Sequence, residues 1–351
     1  MHKNIWGIHI DRSVGLTPIE QNFIGIGWSE LGDLSKLPPN RDSFKAAIKK
    51  VQPDATEASI RVQSSPLFRF THEMQIGDYV IYPSKTDRMI YVGIITGEYE
   101  YIGNLEDEEY KSRRKVEWIT PNGIPRNNFS QTTLNELGAF ISIFAIKQHT
   151  SAEILGSIGL IEIESKKEET SVLQNSDDEL DEENTDDELA TRVVNETTKM
   201  STEDFIIRKL HQNLNGYQFE EFVAHLLECM GYVARITQKS GDGGVDIIAH
   251  KDILGFEPPI IKVQCKKTLT SNGLPEINQL LGTLGDDEYA LFVNLGSYTI
   301  QARNKATNKS KLRLIDGKEI INLIYRYYDS FSPQYRSLIP LRKIFIPDLG
   351  E

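Results

Sequence analysis

Two hydrophobic rhythms divide the chain. Up to about residue 160 the apolar positions fall in short aromatic and β-branched runs: Ile5-Trp6-Gly7-Ile8-His9, Phe23-Ile24-Gly25-Ile26-Gly27-Trp28, Tyr79-Val80-Ile81-Tyr82, Ile90-Tyr91-Val92-Gly93-Ile94-Ile95 and Lys115-Val116-Glu117-Trp118. Runs of this kind predict strands. Helical spacing interrupts them at 42–51 and 56–69, the first opening on Asp42 as a cap, and Gly77-Asp78 reads as a turn feeding the strand at Tyr79. A small, heavily twisted sheet or barrel with inserted helices follows.

Past residue 203 the rhythm changes. Phe219, Phe222, Val223, Leu226, Leu227 and Met230 recur at helical spacing, and Gly231 supplies a stop. Apolar strands are then predicted at 232–237, 245–249 and 260–266, a helix at 275–284, a strand at 289–294, a helix at 299–308, a strand at 312–315 and a helix at 318–328. That order, α-β-β-β-α-β-α-β-α, predicts a mixed sheet flanked by helices.

Between the two parts, residues 165–202 are rich in acidic and small polar residues and nearly free of aromatics. Such a stretch buries too little apolar surface to offset its ordering entropy and reads as a disordered linker. Residues 177–188 hold nine acids and no base, so they carry most of the net charge of −12. Without them the chain is close to neutral, and a nucleic-acid partner stays open. The run reads as solvation, with shielding of a basic groove as the sharper alternative.

At 351 residues the chain is long enough for two domains, 1–160 and 203–351, each with its own core. No apolar run approaches the roughly 20 residues of a membrane span, and the first residues lack a signal-peptide pattern. The two cysteines, Cys229 and Cys265, lie inside apolar patterns and read as reduced thiols in a cytoplasmic protein. The seven histidines lack zinc spacing, and no phosphate-binding GxxxxGK[ST] loop is present.

Candidate chemistry concentrates in Gly241-Asp242-Gly243-Gly244-Val245-Asp246 and in Lys262-Val263-Gln264-Cys265-Lys266. Alternation puts Lys262, Gln264 and Lys266 on one face of their strand. A strand covered by helices on both sides should be apolar on both faces, so the polar face marks either a cleft or an edge strand. Asp246 is flanked by Val245 and Ile247, where a carboxylate needs a partner or a metal. Asp242 belongs to a glycine turn, where Asp is common for local hydrogen bonding, and Gly243-Gly244 frees the backbone to bend. On the preceding helix, Glu220 and Glu221 read either as a solvated side or as a source of one further carboxylate; Glu220 borders the apolar stripe and Glu221 lies farther round, which favours Glu220 as the one facing the sheet. A carboxylate, an oxygen donor and an ammonium so arranged can hold a hard cation against a phosphate.

Tyr217-Gln218-Phe219-Glu220, Met230-Gly231-Tyr232, Gly241-Asp242-Gly243-Gly244-Val245-Asp246, Gln264-Cys265-Lys266 and Leu314-Ile315-Asp316-Gly317 resemble the Mrr-type restriction endonuclease domain, a branch of the PD-(D/E)xK nucleases. The likeness covers about 202–328. It implies a restriction-endonuclease-like α/β fold in which Asp246 is the bridging metal ligand and Gln264 a neutral oxygen ligand. Lys266 would orient the attacking water, and Glu220 would bind the metal directly or through water. Many members outside this branch carry an acid where Gln264 stands, so the metal leans more on Asp246 and Glu220. Mg²⁺ is the implied cation, with Mn²⁺ as a substitute.

Ile26-Gly27-Trp28, Met74-Gln75-Ile76-Gly77-Asp78-Tyr79-Val80 and Tyr91-Val92-Gly93-Ile94-Ile95 resemble the PUA-like group, which includes EVE and YTH domains, over about residues 5–146. That resemblance implies an α+β small barrel holding a flipped, modified base in an aromatic pocket. Trp28, Tyr82 and Trp118 are the stacking candidates and Asp78 the polar one; the bland reading makes each aromatic a core residue. Together the two parts suggest a modification-dependent, type IV-like restriction endonuclease acting on double-stranded, base-modified DNA, with a homodimer for double-strand cleavage. An antiviral nuclease whose front part senses a nucleotide, a repair nuclease, and a non-catalytic DNA-binding module are the competing readings.

Overall fold

The computed structural model describes residues 3–11, 14–104, 110–138, 141–160, 187–237, 244–252, 255 and 259–347. Its N-terminal part holds β1 (Ile5–Ile8), α1 (Thr17–Glu20), β2 (Phe23–Ile26), α2 (Arg41–Val51), α3 (Glu57–Phe68), β3 (Tyr79–Pro83), β4 (Met89–Ile95), β5 (Glu100–Tyr101), β6 (Ser112–Trp118), β7 (Ile124–Pro125), α4 (Gln131–Glu136), β8 (Ile143–Ala145) and α5 (Gln148–Ser157). The strands hydrogen-bond in the order β2-β6-β4-β3-β1-β8, with β5 beside β6 and β7 beside β4. Among the described residues no pairing joins β8 back to β2, so the path runs from one edge to another. The cap of α2 is Asn40, whose side chain accepts from the Ser43 amide, and the predicted cap Asp42 sits in the first turn.

One apolar core lies under α2 and α3, around Phe44, Ile48, Leu67 and Phe70. Another lies on the opposite face, where α4 and α5 bring Leu134, Ile154 and Leu155 against Ile81, Ile90 and Val92. Arg114 crosses the interior fully buried, its guanidinium donating to the carbonyls of Phe70, Thr71 and Gly97. Those bonds satisfy backbone oxygens where α3 passes into a wider turn.

From α7 to α10 the C-terminal part follows the predicted order, and two unpredicted helices, α6 and α11, flank it: α6 (Asp187–Asn213), α7 (Gly216–Cys229), β9 (Val233–Ile236), β10 (Ile247–His250), β11 (Ile260–Lys266), α8 (Leu274–Leu281), β12 (Glu288–Asn294), α9 (Ile300–Thr307), β13 (Leu312–Ile315), α10 (Gly317–Tyr327) and α11 (Pro333–Leu338). The sheet order is β13-β12-β11-β10-β9; β9, β10 and β11 pair antiparallel, and β11, β12 and β13 parallel. It is a mixed α/β sheet with α6, α7 and α10 on one face and α8 and α9 on the other. β11 is its central strand, which removes the edge-strand explanation for Gln264.

Part of the expected linker is structured. Residues 187–202 form the first turns of α6, continuous with the core helix. Helix propagation from an anchored end supplies the reason, because Glu203, Asp204, Ile206, Ile207 and Leu210 are buried. Lys85 pairs with Glu196 at 3.8 Å, and Asn195 donates to the Pro347 carbonyl at 3.2 Å, tethering the earlier turns. The remainder, 165–186, lies outside the described residues. No helix among the described residues is long and apolar enough to cross a membrane.

Candidate nuclease site

The C-terminal ends of β11 and β12, together with the start of β10 and of α7, converge on one place. A capping box begins α7: the Asn215 side chain accepts from the Gln218 amide, and the Gln218 side chain accepts from the Asn215 amide. The first turn is thereby fixed, Phe219 is buried, and Glu220 is left half-buried at the sheet. Glu221 acts instead on Tyr335, away from the strands.

Asp246 is held against the central strand from two sides. Its amide donates to the Val263 carbonyl at 2.8 Å, and its Oδ2 accepts from the Cys265 amide at 2.7 Å. The carboxylate therefore straddles Gln264. Gly244, at φ +89, makes the turn in front of it; a Cβ there would stand 3.1 Å from Gln264 Nε2 and 3.4 Å from Gln279 Nε2. Glycine at 244 permits both the left-handed backbone and the close approach. The nearby Asp242 lies outside the described residues.

Gln264 is 4 % exposed, and among the described residues its Oε1 has no hydrogen-bond partner. An unpaired buried acceptor costs about 1–3 kcal/mol, so a ligand is wanted there. Among the described residues Lys266, half-buried two positions on, makes no side-chain hydrogen bond or ion pair. Lys262, on the same face, is structural: it pairs with Glu288 at 2.7 Å and donates to the Thr283 carbonyl at 2.5 Å.

Cys265 reports the field around these groups. Burial pushes its thiol up, the Asp246 and Glu220 carboxylates push it further, and Lys266 offsets part of the effect. Both carboxylates and the ammonium thus act on one buried sulfur. No trio of His, Cys, Asp and Glu among the described residues could hold a metal alone. The third oxygen at this place is the Gln264 amide, and two carboxylate donors with one neutral oxygen suit a hard divalent cation.

Sequence reasoning missed two contributors. Gln279, on α8, reaches toward Gly244, and its place in a polar turn of an amphipathic helix gives no signal of this. Asn294, fully buried at the end of β12, is registered beside Lys266.

The fold buries three of the four N-terminal candidates. Tyr82 and Trp118 are buried in the core, packed about Tyr91 with ring centroids 6.1–6.3 Å apart, and the Trp118 indole donates to the Pro18 carbonyl. Asp78 is buried too, accepting from the Asn4 and Gln75 amides and the Trp6 indole. Tyr82 and Trp118 are packing residues, because the strand faces that carry them turn inward, and Asp78, in the turn before β3, is a staple. Trp28 alone is half-buried; it has φ +65 and donates from its indole to Gln63 Oε1 at 3.1 Å. A left-handed backbone under so bulky a residue marks a constrained position.

A groove of about 900 Å³, lined by Ile261, Leu291, Leu323 and Arg326 among others, opens elsewhere. Ile261 lies five residues before Lys266, roughly 16 Å along the strand, so the groove does not belong to this site.

Residues 211–324 match the family Mrr_cat, described as a restriction endonuclease, and residues 6–138 match a domain of unknown function (DUF8426). The chain is similar to the type IV methyl-directed restriction enzyme EcoKMrr of Escherichia coli (strain K12), with 29% identity over 129 residues, which is 34% of this chain and 41% of that relative. The match therefore spans well under half of the relative's length. Among solved structures, MspJI restriction endonuclease in complex with a 27-mer oligonucleotide overlaps 80% of this chain and 66% of its own, at 13% identity and a TM-score of 0.32. The DNA modification-dependent restriction endonuclease AspBHI overlaps 82% of this chain and 74% of its own, at 14% identity and a TM-score of 0.34. Overlaps this loose bear on neither fold nor activity.

Proposed function

We infer that this chain, which carries an Mrr-type restriction-endonuclease domain over residues 211–324, hydrolyses DNA phosphodiester bonds with a divalent metal and is directed to modified DNA by its N-terminal part. The observation that carries the reading is the Gln264 Oε1, unpartnered among the described residues, beside the tethered Asp246 carboxylate, with Lys266 two residues on. A buried amide oxygen without a donor, next to a carboxylate, fits a cation better than it fits packing.

Asp246, Gln264 and Glu220 would hold the ion, Mg²⁺ by preference and Mn²⁺ in its place. Such an ion polarises a phosphoryl oxygen and makes bound water more acidic. The backbone bond from Cys265 keeps the Asp246 carboxylate aimed. Lys266 holds the attacking water in place and offsets phosphate charge.

The name of the E. coli relative, a methyl-directed enzyme, supports a modified base as the mark. In the PUA-like reading of residues 1–160, Trp28 is the remaining accessible ring for stacking on such a base. Two copies of the chain would present one site to each strand of double-stranded DNA.

The test is cleavage of unmodified, methylated and hydroxymethylated plasmid by full-length protein with Mg²⁺. Modified DNA should be cut, and Asp246→Asn or Lys266→Ala should lose cleavage while keeping the melting temperature and DNA affinity. The substitution at 246 retains an amide oxygen to accept from Cys265, so folding is spared. Unchanged rates in either variant would remove the assignment; equal cutting of all three plasmids would remove the reading role of the N-terminal part.

A further inference from the structure

We propose that Asp87, a carboxylate of the N-terminal part, positions Lys266 of the nuclease domain, so that the N-terminal part sets whether the site is competent. This rests on Lys266 being the working lysine of that site.

Asp87 lies buried in the turn between β3 and β4. Its Oδ2 accepts from the Tyr91 hydroxyl at 2.5 Å and from Ser297 Oγ at 3.3 Å, and its Oδ1 from the Met89 amide at 3.3 Å. Through Tyr91 it is tied to the Tyr82 and Trp118 rings of the N-terminal core. Through Ser297 it crosses to the other part of the molecule.

From Ser297 the contacts run without a gap to the end of β11. Ser297 is fully buried, and Arg303 holds its hydroxyl at 3.0 Å while also reaching Asp316 at 3.2 Å. The Ser297 carbonyl accepts from Asn294 Nδ2 at 2.7 Å. Asn294 is registered with Lys266, its Oδ1 accepts from Thr268 Oγ1 at 3.1 Å, and its Nδ2 also reaches the Thr270 carbonyl at 3.1 Å. The Leu295 amide donates to the Lys266 carbonyl at 3.0 Å. Between these loops Gly296 leaves no slack, since a Cβ there would stand 2.5 Å from the Leu269 carbonyl. Close-packed segments of this kind shift together.

A second tie arrives at the same strand end. Arg88 and Arg126 pair with Asp204, Arg88 also with Glu203, and Lys318 with Glu203, all of them buried except the half-buried Arg88. Arg88 adopts φ +61, a conformation that a non-glycine residue keeps only where its surroundings over-determine it. Glu203 and Asp204 lie on α6, and the last turn of that helix offers the His211 carbonyl to Lys267 Nζ at 2.6 Å. One route ends at Lys266 and the other at its neighbour.

Proximity alone does not establish coupling, so the test reads it directly. Amide hydrogen exchange is measured on the full-length protein without DNA, for Asp87→Ala, Ser297→Ala and the double variant. The Leu295 and Asn272 amides, which donate to Lys266 and Ser297 carbonyls, should exchange about tenfold faster in each single variant, and the double variant should show the same increase as a single one. The amides of α7 should be unaffected. On modified DNA, kcat should fall about a hundredfold with KM nearly constant, as expected when a group is displaced but substrate contacts are kept. Unchanged exchange at Leu295 and Asn272 in Asp87→Ala overturns the proposal. If that variant loosens the whole molecule, the isosteric Asp87→Asn is read by the same criterion. A wild-type protein that cuts nothing counts against the nuclease reading and leaves the exchange result to decide this one.

Discussion

The Asp246 carboxylate and the Cys265 amide, 2.7 Å apart, lock the candidate metal ligand of one strand to the backbone of the next. That bond occupies Oδ2 and carries Asp246 across Gln264, whose own side-chain oxygen has no donor among the described residues. Replacing that oxygen donor by a charged one is therefore informative.

Gln264→Glu should lower the melting temperature in chelator and regain most of the loss in millimolar Mg²⁺. The new carboxylate would be buried near Asp246 and Glu220, and an uncompensated buried charge costs about 3 kcal/mol. A cation bound only by the folded form returns roughly 2.7 kcal/mol at a hundredfold excess over its Kd. Thermal melts of wild type and variant, with and without Mg²⁺, give the comparison. A variant that gains no more from Mg²⁺ than the wild type does would show that Gln264 faces no cation.

Much of this site was legible in the sequence because it rests on local rules. The period of the apolar stripe separates Glu220 from Glu221, and α7 does turn them apart, toward Cys265 and Tyr335. Alternation puts Lys262, Gln264 and Lys266 on one face, but only the sheet order reveals that β11 is central. It also takes the folded chain to show that Lys262 is engaged by Glu288. The Asp87–Ser297 contact joins residues 210 positions apart, beyond the reach of any periodicity. The helical residues 187–202 are as polar as a linker, and what orders them is burial of Glu203 and Asp204 against distant arginines.

Trp118 and Trp28 should respond oppositely to truncation. Trp118 is buried with its indole bonded to Pro18, so Trp118→Ala should cost about 3–5 kcal/mol of stability. The fraction that stays folded should bind as well as wild type. Trp28 is only half-buried, and Trp28→Ala should cost less stability. If its ring stacks on a base, affinity for modified DNA should fall roughly tenfold or more. Melting curves and binding isotherms on both variants separate the roles; affinity unchanged in Trp28→Ala would place the mark's contact elsewhere.

His211 should make the junction acid-sensitive. Burial lowers the affinity of its ring for protons, and the neighbouring Lys267 ammonium lowers it further. The unfolded chain, with an ordinary histidine, then binds a proton that the folded chain resists. Stability from this group is complete above the unfolded value, about pH 6.5, and is lost as pH falls through it toward the lower folded value. His211→Gln removes the titration, so the drop in melting temperature between about pH 7 and pH 5 should be smaller in the variant. Lys267→Gln should shrink the same drop by less, because burial is the larger cause, and it should also free the His211 carbonyl from its 2.6 Å bond. Parallel pH series on the three proteins order the two causes. A His211→Gln series that follows the wild type point for point would mean that the ring titrates alike in both states.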